Sequence, residues 1–118
     1  MTAKECYEKL QGDYIGASKR LISEKMLTLF INKFPNDTSM KALLDAVEAR
    51  DIETSFRSVH TLKGVSANLG FTELYKAAWN LTEQLRPRQE QADKNLLKIL
   101  EDEYNRTIAI LKEFAETN

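Results

Sequence analysis

The chain has 118 residues, 42% of them apolar and 30% charged, which suffices for one hydrophobic core and is too apolar for a disordered segment. Lys and Arg number 17 against 18 Asp and Glu, a formal charge of −1, so no strongly basic surface marks the chain for nucleic acid or anionic lipid. No leader-like basic and apolar stretch opens it, and no apolar run is long enough to cross a bilayer; the expectation is a single cytoplasmic domain over residues 1–118.

Two prolines and four glycines punctuate the sequence, and all but Gly64 fall between periodic segments, so helix is predicted almost throughout. A short helix over Ala3 to Leu10 stops at Gly12, and Tyr14 to Leu21 adds a further turn or two. Ser23 is an N-cap for a helix carrying Met26, Leu27, Phe30, Ile31 and Phe34 as its apolar stripe, which must end before Pro35. Met40, Leu43, Leu44 and Val47 mark a short helix. Asp51 caps the one after it, which runs to Leu69 with Gly70 as its stop. Phe71, Leu74, Tyr75, Ala78, Leu81 and Leu85 define another helix closing before Pro87, with Trp79 expected as core filler on its flank. After a polar link to about Glu90, Leu97, Leu100, Tyr104, Ile108, Leu111 and Phe114 run through a final helix of more than six turns. Four long amphipathic helices with short links predict an all-α antiparallel four-helix bundle, with short additional N-terminal helices capping one end.

Cys6 is the only cysteine, so no disulfide forms within the chain, and its expected role is a small apolar side chain by the first helix. With a single histidine as well, the usual metal centres lack ligands. The chemistry therefore concentrates on that histidine, His60. At about 100° per residue, Leu62, Val65 and Leu69, with Ser55, Ser58 and Ser66 interspersed, lie opposite it. That stripe faces the core and directs His60 to water. The serines allow close helix approach, and their hydroxyls can bond to carbonyls one turn back.

Phe56, Lys63, Gly64 and Ala67 share the His60 face, being three, four or seven positions away. A mid-helix glycine costs about 1 kcal/mol relative to alanine, and at an outward position packing within the domain does not explain it. Phe56 either exposes apolar area that a partner would cover or folds over a neighbouring helix. A neutral imidazole presents a ring-nitrogen lone pair as nucleophile, and an ammonium one turn away can neutralise the oxygens of an attached phosphoryl group. Asn68 is expected to bond locally near the helix end.

The run His60, Thr61, Leu62, Lys63, Gly64, Val65, Ser66, Ala67, Asn68, Leu69, Gly70 closely resembles the signature of histidine-containing phosphotransfer (HPt) domains of multistep two-component phosphorelays. The resemblance extends to the acidic cap Asp51 and the helices that follow, and is weakest over the first twenty residues. Val59 stands where the family often has alanine.

The resemblance implies that His60 is the phosphoacceptor, that Lys63 assists the phosphoryl group, and that Gly64 permits close docking of a receiver domain, with Phe56, Ala67 and Asn68 as further contact positions. It implies a phosphoryl carrier without kinase or ATPase activity of its own. The carrier needs no cofactor, Mg2+ being held by the partner receiver. The implied partners are response-regulator receiver domains and a hybrid sensor histidine kinase, met by a monomer. In some members a polar side chain from another helix orients the imidazole, and no residue here is identified for that task. The other reading open at this point is a helical adaptor that binds receiver or kinase domains without carrying phosphate, through Phe56, Gly64 and Ala67.

Overall fold

Helix starts in this chain are set by short polar side chains that accept the orphan N–H groups of a first turn. Thr2 and Glu5 form a reciprocal capping box, and Asp13, Ser23 and Asp51 accept from Gly16, Met26 and Thr54. In the computed structural model, which describes residues 1–21 and 23–117, the resulting elements are α1 (Ala3–Leu10), α2 (Tyr14–Arg20), α3 (Glu24–Lys33), a 3-10 turn (Phe34–Asn36), α4 (Ser39–Glu48), α5 (Ile52–Asn68), α6 (Thr72–Leu85) and α7 (Lys94–Thr117). No strand occurs among the described residues.

Consecutive helices pack as neighbours: α4 lies along α5, α5 along α6 and α6 along α7. Leu43, Val59, Leu62, Ala78, Leu81, Leu85 and Leu100 are each fully enclosed between them, and each of the leucines and the valine contributes about 1.5–3 kcal/mol. An aromatic group closes one end of the bundle, where Phe71 packs on Phe34 with ring centroids 5.2 Å apart and on Tyr7 at 6.0 Å. Cys6 is buried beside it, and burial pushes its thiol up to about 11, so it acts as an apolar filler.

The all-α bundle with short additional N-terminal helices is as the sequence predicts, with the lengths of its helices unequal. Three are long, at 17, 14 and 24 residues, while α3 and α4 have ten residues each. The α3 helix stops at Lys33, before Pro35 as expected, and Pro35 stands in the 3-10 turn that follows. Because α3 lies on the outside, touching α1, α2 and α7, only Leu27, Ile31 and, in the turn that follows, Phe34 of its predicted stripe are enclosed. Met26 and Phe30 are each 39% exposed. Trp79 is likewise no core filler, being 45% exposed: Ala77, Ala78 and Leu81 take the inward positions and leave the indole rotated away. The last helix begins at Lys94, later than the link to Glu90 implies, because Asp93 caps it by accepting the Leu96 N–H.

The N-terminal helices close the end of the bundle where α5 stops. Tyr7 donates its hydroxyl to the Leu69 carbonyl, the Asp13 N–H bonds to the Gly70 carbonyl, and Arg20 donates to the carbonyls of Ala67 and Asn68. Orphan carbonyls at a helix C-terminus are satisfied in this way. Gly70 has φ +70°, and a Cβ there would sit 2.5 Å from the Asp13 carbonyl oxygen. Gly70→Ala is expected to destabilise the fold by more than about 2 kcal/mol, combining left-handed strain with that clash. A thermal midpoint lowered by several degrees checks it.

Candidate functional site

The site is built on the middle of α5. Asp51 sets the helix start: its carboxylate accepts from the Thr54 N–H at 3.0 Å and the Thr54 hydroxyl at 2.7 Å. These bonds, the hydroxyl first, hold its carboxyl below the usual carboxylate range. Ser55 and Ser66 are buried, and their hydroxyls bond back to the Asp51 and Leu62 carbonyls. Small side chains that satisfy themselves locally let α4 and α6 approach the inner face, and Val59 and Leu62 fill it. This register directs His60 outward, and its side chain is exposed.

Gly64 follows one turn later, exposed, and a Cβ built on it meets no atom within 4 Å. Nothing in the fold requires glycine there, so its cost of about 1 kcal/mol relative to alanine is unreturned inside the domain. Ala67 and Asn68 continue the exposed strip. The Asn68 side chain makes no hydrogen bond with a described residue, contrary to the expected local bond; only its carbonyl is engaged, by Arg20. The helix end is closed instead by Gly70 and Arg20, which leaves the amide of Asn68 to solvent.

Lys63 is half-buried on the flank of this strip and forms no ion pair among the described residues. Facing it from α6 is Glu83. The Arg86 hydrogen bond, and after it the positive charges of Arg86 and Lys63, hold the Glu83 carboxyl below its ordinary range. Arg86 donates to Glu83 from Nε at 2.9 Å and Nη2 at 2.7 Å.

Phe56 is covered from within the domain rather than left for a partner. It is 8% exposed, because two guanidinium groups from the end of α6 and the link beyond it cover the ring. Arg88 lies 3.5 Å from its centroid and Arg86 5.4 Å. On the histidine side the Phe56 and His60 rings stack, centroids 5.6 Å apart and planes inclined by 23°. Phe56 therefore offers a partner no exposed apolar contact, and the adaptor reading loses one of its three residues. Sequence reasoning missed Glu83, Arg86 and Arg88. The two arginines flank Pro87 in a polar stretch without periodicity, and no spacing rule connects them to α5.

A family model described as "Hpt domain" matches residues 25–110. The chain belongs to the Hpt domain family. The match begins in α3 and leaves out α1 and α2, where the sequence resemblance is also weakest. No curated protein and no solved structure matches the chain. As an Hpt domain it has a histidine phosphotransfer role in phosphorelays, and its family interacts with receiver domains. No helix among the described residues of this Hpt domain is long and apolar enough to cross a membrane.

Proposed function

We propose that His60 is the phosphoacceptor of this Hpt domain, taking a phosphoryl group from the aspartyl phosphate of one receiver and passing it to the aspartate of another. The observation that carries the reading is the open space at Gly64 beside the exposed imidazole. A partner's active site can come close to His60 only if backbone next to it is bare. Phosphoryl transfer asks for in-line access and charge stabilisation rather than further acid or base groups, so an almost bare helical face suffices.

In the forward step a His60 ring-nitrogen lone pair attacks phosphorus. An N–P bond forms as the P–O bond to the aspartate breaks, the carboxylate leaves with the bonding pair, and the proton on the other ring nitrogen is free to pass to water. Transfer to the second receiver runs the same exchange in reverse. The metal needed is Mg2+ held by the receiver, and the Hpt domain contributes its cation through Lys63, whose ammonium opposes the charge on the transferring oxygens.

The test is incubation with a phosphorylated receiver in Mg2+. The expected result is acid-labile, alkali-stable phosphate on this chain that a second receiver removes. Binding of the receiver without labelling supports the adaptor reading instead. Lys63→Ala is expected to slow labelling about ten- to a hundredfold without abolishing it, read as a single-turnover rate; a rate equal to wild type removes Lys63 from the chemistry.

A further inference from the structure

In-line attack requires the nucleophilic lone pair to lie on the axis through phosphorus and the leaving oxygen. The lone pair of an imidazole nitrogen lies in the plane of the ring, so whatever sets that plane sets the direction of attack. An exposed histidine ring otherwise changes rotamer within picoseconds to nanoseconds. No described residue hydrogen-bonds to the His60 ring. What touches it is Phe56, one turn earlier on the same helix, stacked at 5.6 Å with a 23° inclination. Stacking engages the face of the imidazole rather than its nitrogen-bearing edge.

Phe56 is held in turn. Arg88 lies 3.5 Å over its ring, within the range of strong cation–π attraction, and is itself tied down by three hydrogen bonds. Its N–H donates to the Leu85 carbonyl at 2.9 Å, Nη1 to the Arg86 carbonyl at 2.7 Å, and Nε to Glu53 Oε2 at 2.9 Å. The backbone at Arg88 has φ 55°, a left-handed conformation that a non-glycine residue keeps only where its surroundings impose it. Glu53 stands in the first turn of α5, so the chain of contacts Glu53, Arg88, Phe56, His60 leaves the histidine helix and returns to it.

We infer that Phe56 is a positioning residue that sets the plane of the His60 ring, and that Arg88, anchored by Glu53, is the brace that keeps Phe56 in place. The inference rests on the phosphoacceptor reading of His60 for its catalytic consequence, but the stack itself is measurable without any phosphate. An i, i+4 aromatic pair serving helix stability alone would leave the transfer rate unaffected once the helix is formed.

His60 is the only histidine, so its carbon-bound ring protons give unambiguous NMR signals. In the wild-type protein the Phe56 ring current displaces them. That displacement is expected to vanish in F56L, to shrink in R88A and to persist in F56Y. At saturating phosphorylated receiver, transfer to His60 is expected to fall about tenfold in F56L and severalfold in R88A, with the half-saturating receiver concentration unchanged and F56Y close to wild type. Wild-type imidazole signals in F56L overturn the inference, as does a loss confined to half-saturation. Should F56L fail to fold, R88A decides alone, since the Arg88 side chain is 37% exposed and its removal empties no core: unchanged imidazole signals and an unchanged rate in R88A refute the brace. Absence of label on the wild-type chain overturns the phosphoacceptor reading, while the NMR comparison still reports on the stack.

Discussion

His60→Gln is expected to abolish acid-labile labelling by a phosphorylated receiver while leaving the helical circular dichroism and thermal midpoint near wild type. Glutamine is polar, similar in reach and a better helix former than histidine, and at an exposed position such a change moves stability by less than about 0.5 kcal/mol. What it removes is the nucleophile, because the amide nitrogen lone pair is delocalised into the carbonyl and cannot displace a carboxylate from phosphorus. No other described side chain on the outer strip of α5 replaces it: Gly64 and Ala67 carry no nucleophile, and the Lys63 ammonium has no lone pair while protonated. Labelling that survives in His60→Gln at the wild-type rate would place the phosphate on another residue and end the present reading.

Gly64→Glu is expected to cut transfer about a hundredfold with the fold intact. The position is open, since a Cβ there meets no atom within 4 Å, and the backbone gains helix propensity. It fills the gap through which a receiver would approach, and it sets a carboxylate one turn from the incoming phosphoryl oxygens, where like charges repel. Gly64→Ala separates bulk from charge: stability should rise by up to about 1 kcal/mol, with a smaller loss of transfer than for glutamate. Chemical denaturation of the two variants beside single-turnover transfer rates checks both halves. A Gly64→Glu protein that transfers at the wild-type rate would mean that no partner approaches this face.

The outward register of His60 and Gly64 was legible because it depends only on helical periodicity. Once Leu62 and the serines are assigned inward, a rotation of about 100° per residue leaves no other direction for the histidine. Gly70 was legible for a similar reason, since a left-handed stop is a local property of the backbone. The same rotation places Phe56 on the His60 flank but leaves open whether a partner or another part of the chain covers it. Its burial comes from Arg86 and Arg88, about thirty residues away in sequence, and periodicity says nothing of what arrives from another element. The exposure of Met26, Phe30 and Trp79 escaped the pattern too, because a stripe identifies apolar positions without saying how wide a surface the neighbouring helices cover.

By itself the sequence determined the all-helical class, the caps and stops of the helix that bears His60, and the conjunction of imidazole, ammonium and bare backbone along one of its faces, because each of these follows from interactions within a few turns of one helix. The tertiary structure alone decided that α1 and α2 close the C-terminal end of α5, that Glu83 faces Lys63 from α6, and that Arg88 and Phe56 stand behind the histidine ring. Those contacts join residues whose separation is set by the link between α6 and α7 and by helix packing, and no local rule of spacing encodes where such a link lays its side chains.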